Sequence, residues 1–277
     1  MALFKAIKKR AQRWSSNLGI SKRQQFIAVT LILTAGLLLT QLSGGEWRYP
    51  LVVALSVLAY GLSAFALRDD LNKAEWLTLL TLPTLFTAAV ATFYFLLPER
   101  WLTRIPVAGL YAIGMYGLLL TENIYNVAAN RTIALLRAAH SVGFLLTLLT
   151  FFLLVQTVLA FRLPGIINAV VTGVISWLLI VQSLWAMELE GKIGKRTWQL
   201  ALILSVAIAQ ATWGLSLWPV KTTLLALFLT TFLYSTTGMA QQYVADRLYK
   251  RTVIEFFSVT FFVLCVVLVT THWRGNL

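Results

Sequence analysis

The chain has 277 residues, of which 59% are apolar and only 12% are charged. Soluble domains carry charge on about a quarter of their residues, so this chain has too few charges to cover a water-soluble globule of its length. The composition therefore indicates an integral membrane protein. The net charge of +13 does not indicate nucleic-acid binding, because the basic residues lie at the ends of apolar segments and not on a compact basic domain.

The apolar segments predict an all-α, polytopic membrane protein with about nine transmembrane helices. Each segment approaches the roughly 20 residues that cross a bilayer, and each is continuous where a membrane β-barrel would show short alternating strands. No part of the chain outside the spans is long enough for a soluble domain. We divide it into a basic amphipathic segment at the membrane surface, one transmembrane domain and a short external tail, at residues 1–25, 26–271 and 272–277.

A repeated turn motif divides the transmembrane domain into a leading helix and four parallel helical hairpins. Arg48-Tyr49-Pro50, Arg104-Ile105-Pro106 and Arg162-Leu163-Pro164 precede alternate spans, and Pro219 takes the same place in the last hairpin. Proline suits the first turn of a helix because it lacks the N–H that would be unpaired there. A general preference of proline for helix starts is the alternative explanation. The predicted hairpins cover about 50–97, 106–161, 164–218 and 219–271.

The basic residues predict the orientation. Segments on the side of the N-terminus hold 17 of the 23 basic residues, and the positive-inside rule places that side in the cytoplasm. Since nine is odd, we expect an external C-terminus, in a bacterial cytoplasmic membrane. In the first 25 residues, Leu3, Ile7 and Trp14 fall on one helix face and Lys5 and Lys8 on others, which is typical of an interfacial helix that binds anionic lipid head groups. A topology signal or a partner-docking segment are the alternatives.

The fourth span ends in the most polar stretch of the membrane domain. Glu122, Asn126 and Asn130 recur every four residues and so lie on one helix face. A turn near Asn130 brings Arg137 and His140 of the next span level with Asn126 and Glu122. An ionisable side chain inside a span is costly unless it is paired, and it therefore indicates function. We predict a ligand or ion site formed by Glu122, Asn123, Asn126, Asn130, Arg137 and His140.

Two interpretations of this site compete. In the structural one, Glu122 neutralises Arg137 or His140, and the amides cross-link helices. In the functional one, the residues bind a proton, a cation or an anionic head group. No cofactor or metal site is expected, because His272 lies at the other end of the membrane and Cys265 is the sole cysteine.

Further polar residues fall on the same side of the membrane. The four-residue spacing of Arg251 and Glu255 predicts an ion pair at the start of the last span. The secondary polar set comprises Gln182, Gln242, Asp246 and Glu255.

Acidic residues follow the second and sixth spans, as Asp69-Asp70 and Glu188-x-Glu190. In this respect the chain is similar to UbiA-type prenyltransferases, nine-helix membrane enzymes whose aspartate-rich motifs on the same loops hold magnesium and diphosphate. The resemblance implies an intramembrane prenyltransferase as one alternative. The carboxylates here lack the three- and four-residue spacing of that family's motifs, and a solvated loop also accounts for Arg68-Asp69-Asp70.

The sequence thus favours a non-enzymatic, transporter-like protein of the bilayer that handles a small solute, an ion or a lipid. The main alternative is a membrane scaffold or subunit of a larger complex, whose partner is another protein or a second copy of the chain.

Overall fold

A computed structural model describes residues 21–42, 47–68, 75–98, 100–128, 134–189 and 192–271. All regular secondary structure in these ranges is helical, as predicted. The helices are α1 (Lys22–Leu42), α2 (Arg48–Leu67), α3 (Glu75–Tyr94), α4 (Trp101–Ala128), α5 (Leu136–Ala160), α6 (Gly165–Glu188), α7 (Lys195–Leu215), α8 (Thr222–Val244) and α9 (Lys250–Thr270). Residues 22–25, assigned to the surface segment by the sequence, belong to α1. Residues 1–20 and 272–277, Asp69, Asp70, Asn130 and Glu190 lie outside the described ranges.

Eight of the described helices are long and apolar enough to cross a membrane. In the ninth, α3, the apolar stretch Thr78–Tyr94 is shorter. Large apolar side chains such as Leu31, Leu110 and Phe257 are exposed on the outside of the bundle, where hydrocarbon would solvate them. The protein is therefore a polytopic integral membrane protein of the predicted class.

The two helices of each predicted hairpin pack against each other, as α2–α3, α4–α5, α6–α7 and α8–α9. In the centre of the bundle, α5 packs against α3, α4, α6 and α8. At the periphery, α9 packs closely on α8 alone among the described helices, and Val267 is its one buried residue. The hairpin pairing agrees with the proposed repeat, which itself stays a prediction.

The prolines of the turn motif do not share one position. Pro164 immediately precedes α6, and Pro219 lies in the loop before α8. Pro50 is in the first turn of α2, where backbone N–H groups have no helical partner in any case. Pro106 lies inside α4, which begins at Trp101, so it removes one backbone hydrogen bond of the helix. The second hairpin therefore begins at Trp101, before the turn motif Arg104-Ile105-Pro106.

Most buried hydroxyl groups do not link helices. Thr147 and Thr150, for example, donate to backbone carbonyls four residues back in α5. Several longer polar side chains do reach other helices, near the end of the bundle where α2, α4, α6 and α8 end and α3, α5, α7 and α9 begin. We call this end of the bundle the hairpin-turn end.

Candidate functional site

Polar side chains from four helices meet within about two turns of the hairpin-turn end. We call this group the polar cluster. It consists of Glu122, Tyr125 and Asn126 on α4, His140 on α5, Gln182 and Ser183 on α6, and Gln241 on α8.

Glu122 is the acidic residue of the polar cluster and is fully buried, with 0% of its surface exposed. Its Oε1 accepts a hydrogen bond from Nε2 of Gln182 at 3.1 Å. Its Oε2 is buried and has no hydrogen-bond partner among the described residues. The expected ion pair with Arg137 or His140 does not form: Arg137 is exposed, and His140 bonds elsewhere. Among the residues that the structure describes, an amide, and no cation, therefore faces this carboxylate.

Asn126 lies one turn further along the same face of α4, as predicted. Its Nδ2 donates to the backbone carbonyl of Leu67 at 3.0 Å, which ties α4 to the end of α2. The next residue, Arg68, is only 7% exposed, and its guanidinium lies 4.2 Å from the ring centroid of Phe65. Arg68 is therefore buried, and its planar guanidinium stacks on an aromatic ring three residues earlier. The aspartates for which a solvated loop is predicted lie outside the described residues.

His140 connects α5 to α6. Its Nε2 lies 2.9 Å from the carbonyl oxygen of Ala186. A carbonyl can only accept, so this nitrogen carries a proton. The imidazole ring stacks on Tyr125 at 5.6 Å between ring centroids, and the Tyr125 hydroxyl donates to the carbonyl of Ala139 at 2.9 Å. Helices α4 and α5 thus lie together as expected, and the side chain that connects them is Tyr125.

Gln241 connects α8 to α6. Its Nε2 donates to Oγ of Ser183 at 2.8 Å. Its neighbour Gln242, the residue predicted from the sequence, lies about 100° further around the helix and is half-buried. Sequence reasoning missed Gln241 and Ser183, because the only signal was an uncharged side chain within each span.

Of the secondary polar set, Gln182 belongs to the polar cluster and the other members do not. Asp246 is exposed beyond the end of α8, with a left-handed backbone φ of 53°. Glu255 is exposed and forms the predicted ion pair with Arg251, at 3.2 Å. Both residues therefore lie on the surface of the hairpin-turn end.

A cavity of about 10 Å³ opens between α5, α6 and α8. His140, Gln182, Ser183 and Gln241 line it, together with Tyr125. The volume is close to what a single water molecule needs, and the lining supplies the polar partners that a buried water requires. One wall of this cavity, Gln182, is also the hydrogen-bond partner of Glu122.

Two further residues singled out from the sequence, Asn123 and Glu188, lie outside the polar cluster. Asn123 is half-buried next to Glu122, and its Oδ1 has no hydrogen-bond partner among the described residues. Glu188 is engaged in the turn between α6 and α7, where its Oε2 accepts from Oγ1 of Thr197 at 2.6 Å. Within the described ranges, no group of three or more His, Cys, Asp or Glu residues is placed to hold a metal ion.

One protein family model matches residues 68–270, which is more than half of the chain. The chain belongs to this family. Its description is protein of unknown function (DUF5656). The matched segment contains every residue of the polar cluster. No curated protein and no solved structure matches the chain.

Proposed function

We propose that this multi-pass membrane protein binds and releases a proton at Glu122, and that it couples this step to the movement of a small solute, an ion or a lipid. The observation that carries the proposal is the environment of Glu122. Its carboxylate is fully buried within a membrane span, and its hydrogen-bond partner is the neutral amide of Gln182.

The cost of burying charge links protonation to conformation. An ionised carboxylate inside a membrane is expensive when no cation pairs with it, whereas a protonated one is tolerated. The closed arrangement of α4 and α6 around Glu122 therefore favours the protonated side chain. An arrangement that admits water to Oε2 favours the ionised one. Such a two-state dependence is what proton coupling requires.

The polar cavity beside Gln182 supports a route for the proton. A water there can bridge the His140 ring, the Ser183 hydroxyl and the Gln241 amide. The cavity has room for about one water, which favours a proton over a hydrated metal cation.

Proton binding is tested by infrared difference spectroscopy on the full chain in lipid nanodiscs, stepped from about pH 9 to pH 5. We expect a carboxylic-acid carbonyl band that grows as the pH falls and is missing from the spectrum of Glu122→Gln. Glu255→Gln, which alters an exposed carboxylate, is the matched control and should retain the band. Identical spectra for the native protein and Glu122→Gln would contradict proton binding.

Transport is tested in proteoliposomes that contain a trapped pH indicator. Amino acids, simple sugars and sodium salts are added outside in turn. We expect at least one class to change the internal pH with the native protein and not with Glu122→Gln. If the substitution alters only thermal stability, the polar cluster cross-links helices, and the scaffold or subunit alternative replaces this proposal.

A further inference from the structure

A second, larger cavity of about 110 Å³ lies between α3, α6 and α7. Its walls include Thr81 of α3, Trp198 of α7, and Trp177, Leu178, Val181 and Gln182 of α6. Apolar atoms supply nearly all of its exposed lining, and none of the described lining residues is charged. The cavity is thus suited to a neutral, largely apolar ligand.

The cavity is open on one side and closed at the other. Trp177 and Trp198 are half-buried, with ring centroids 5.2 Å apart and planes tilted by 46°. Thr81 and Leu178 are half-buried as well. Val181 and Gln182, in contrast, are 5% and 2% exposed. The half-buried residues mark a mouth on the outer surface of the bundle, where lipid would surround it, and Val181 and Gln182 mark the inner end.

Gln182, at the inner end of the cavity, carries a buried hydrogen-bond acceptor that is unused. Its Nε2 donates to Glu122, whereas its Oε1 is buried without a partner among the described residues. A buried acceptor without a donor costs about 1–3 kcal/mol. A ligand that brings a hydroxyl or another donor to this oxygen would recover part of that cost.

We propose that this cavity binds the hydroxyl end of a membrane-soluble lipid alcohol. A small shift of the Gln182 side chain opens Oε1 to the cavity, and the hydroxyl group donates to it. The first carbons lie beside the two tryptophan rings, and the rest of the chain extends through the mouth into the bilayer. The cavity is smaller than the roughly 150 Å³ that holds benzene in an engineered core, so it takes a chain end and not a whole amphiphile. A phospholipid head group is excluded, because its phosphate would be buried without a cation.

A lipid alcohol can bind in this cavity whether or not Glu122 binds a proton. Coupling between the two binding events, in contrast, rests on the proposed function. The side-chain amide of Gln182 would accept a hydrogen bond from the hydroxyl group through Oε1, and its Nε2 donates to Glu122. A bound alcohol therefore fixes the orientation of the amide that holds the carboxylate. This makes a lipid alcohol the candidate substrate or effector of the same site.

The test uses the full chain in phosphatidylcholine nanodiscs and a hexadecanol that carries a diazirine near its hydroxyl end. After illumination, the labelled residues are mapped by mass spectrometry. We expect labels on residues 177–182 and around Trp198, displaced more strongly by unlabelled hexadecanol than by its methyl ether, which cannot donate. One hydrogen bond corresponds to about a 2- to 10-fold difference in competition.

Two cavity-filling variants, Leu178→Trp and Val181→Phe, should reduce labelling of α6. Phe257 and Phe261 on the exposed surface of α9 report labelling by bulk lipid and should not change. Glu122→Gln should lose the carboxyl band but keep the labelling, which separates a failure of this inference from a failure of the proposed function. Labels on α6 no stronger than on α9, no preference for the alcohol over the ether, or full labelling of a folded filling variant would overturn the inference.

Discussion

Gln182 donates its side-chain amide to Glu122 at 3.1 Å and thereby joins α6 to α4. These two helices are not among the closely packed pairs, whereas α5 packs against both. Two long side chains thus connect helices of different hairpins. The carboxylate that the sequence identifies as exceptional is coupled to the α6–α7 hairpin and not, as the turn geometry suggested, to the basic residues of α5.

The energetic link between Glu122 and Gln182 can be measured with a double-mutant cycle. Gln182→Leu leaves the carboxyl group without its donor and should destabilise the protein by about 1–3 kcal/mol. Adding Glu122→Leu removes the stranded group, so the double variant should lose less than the sum of the singles, by about 1 kcal/mol. Unfolding in mixed micelles gives the free energies. Additive losses would show that the bond carries no coupling. Glu255→Gln, in an exposed pair, should cost less than about 1 kcal/mol.

Close packing beside the polar cluster predicts that Gly143 tolerates no larger side chain. A Cβ at Gly143 would lie 2.5 Å from the Tyr125 hydroxyl oxygen and 3.2 Å from Cγ2 of Thr121. Gly143→Ala should therefore force α4 and α5 apart and destabilise the protein by about 1–3 kcal/mol. Gly109→Ala is the matched control, because nothing lies within 4 Å of its Cβ position. Thermal unfolding should rank Gly143→Ala below the native protein and Gly109→Ala at or above it. Equal stability of the two variants would contradict the packing argument.

Substitution of Glu188 tests whether this residue stabilises the turn between α6 and α7 or binds magnesium. Because Glu188 accepts from Thr197 at 2.6 Å, Glu188→Ala and Thr197→Val should each cost about 1 kcal/mol, and the double variant little more than one of them. Neither stability nor any activity should depend on magnesium. Stabilisation of the native protein by magnesium that is lost in Glu188→Ala would instead favour the prenyltransferase alternative.

The predicted orientation can be tested with single cysteines in a Cys265→Ala background. Arg137 and Leu217 are exposed near opposite ends of the bundle. If the N-terminus is cytoplasmic, a membrane-impermeant maleimide should label Leu217→Cys in intact spheroplasts and Arg137→Cys only after permeabilisation. The reverse pattern would show that the distribution of basic residues does not determine the topology of this chain.

The sequence was sufficient for the class of fold, because long apolar runs have few alternatives in a bilayer. It was less informative about helix starts. Pro106 marks a plausible first turn, but the preceding residues from Trp101 onward are also helical, and the sequence offers no signal that distinguishes a proline in the first turn from one in the second.

The candidate site was predictable in part. Glu122 and Asn126 were identified because polar residues at four-residue spacing are unusual inside a span, and the structure places both in the buried interior. Their hydrogen-bond partners could not be identified, since spacing along the chain predicts contacts only between consecutive spans. Gln182 is 60 residues from Glu122, and Asn126 reaches a backbone carbonyl 59 residues away. Such contacts depend on how the hairpins pack, which local patterns do not encode.

The peripheral position of α9 bears on biosynthesis. Helices leave the ribosome in chain order, and the last residue of the polar cluster is Gln241 on α8. Every side chain of the cluster has therefore been synthesised before α9 emerges. Helix α9 then has one close neighbour among the described helices, and the contact of Thr260 with Ser235 of α8, at 2.6 Å, provides a polar anchor for its later addition.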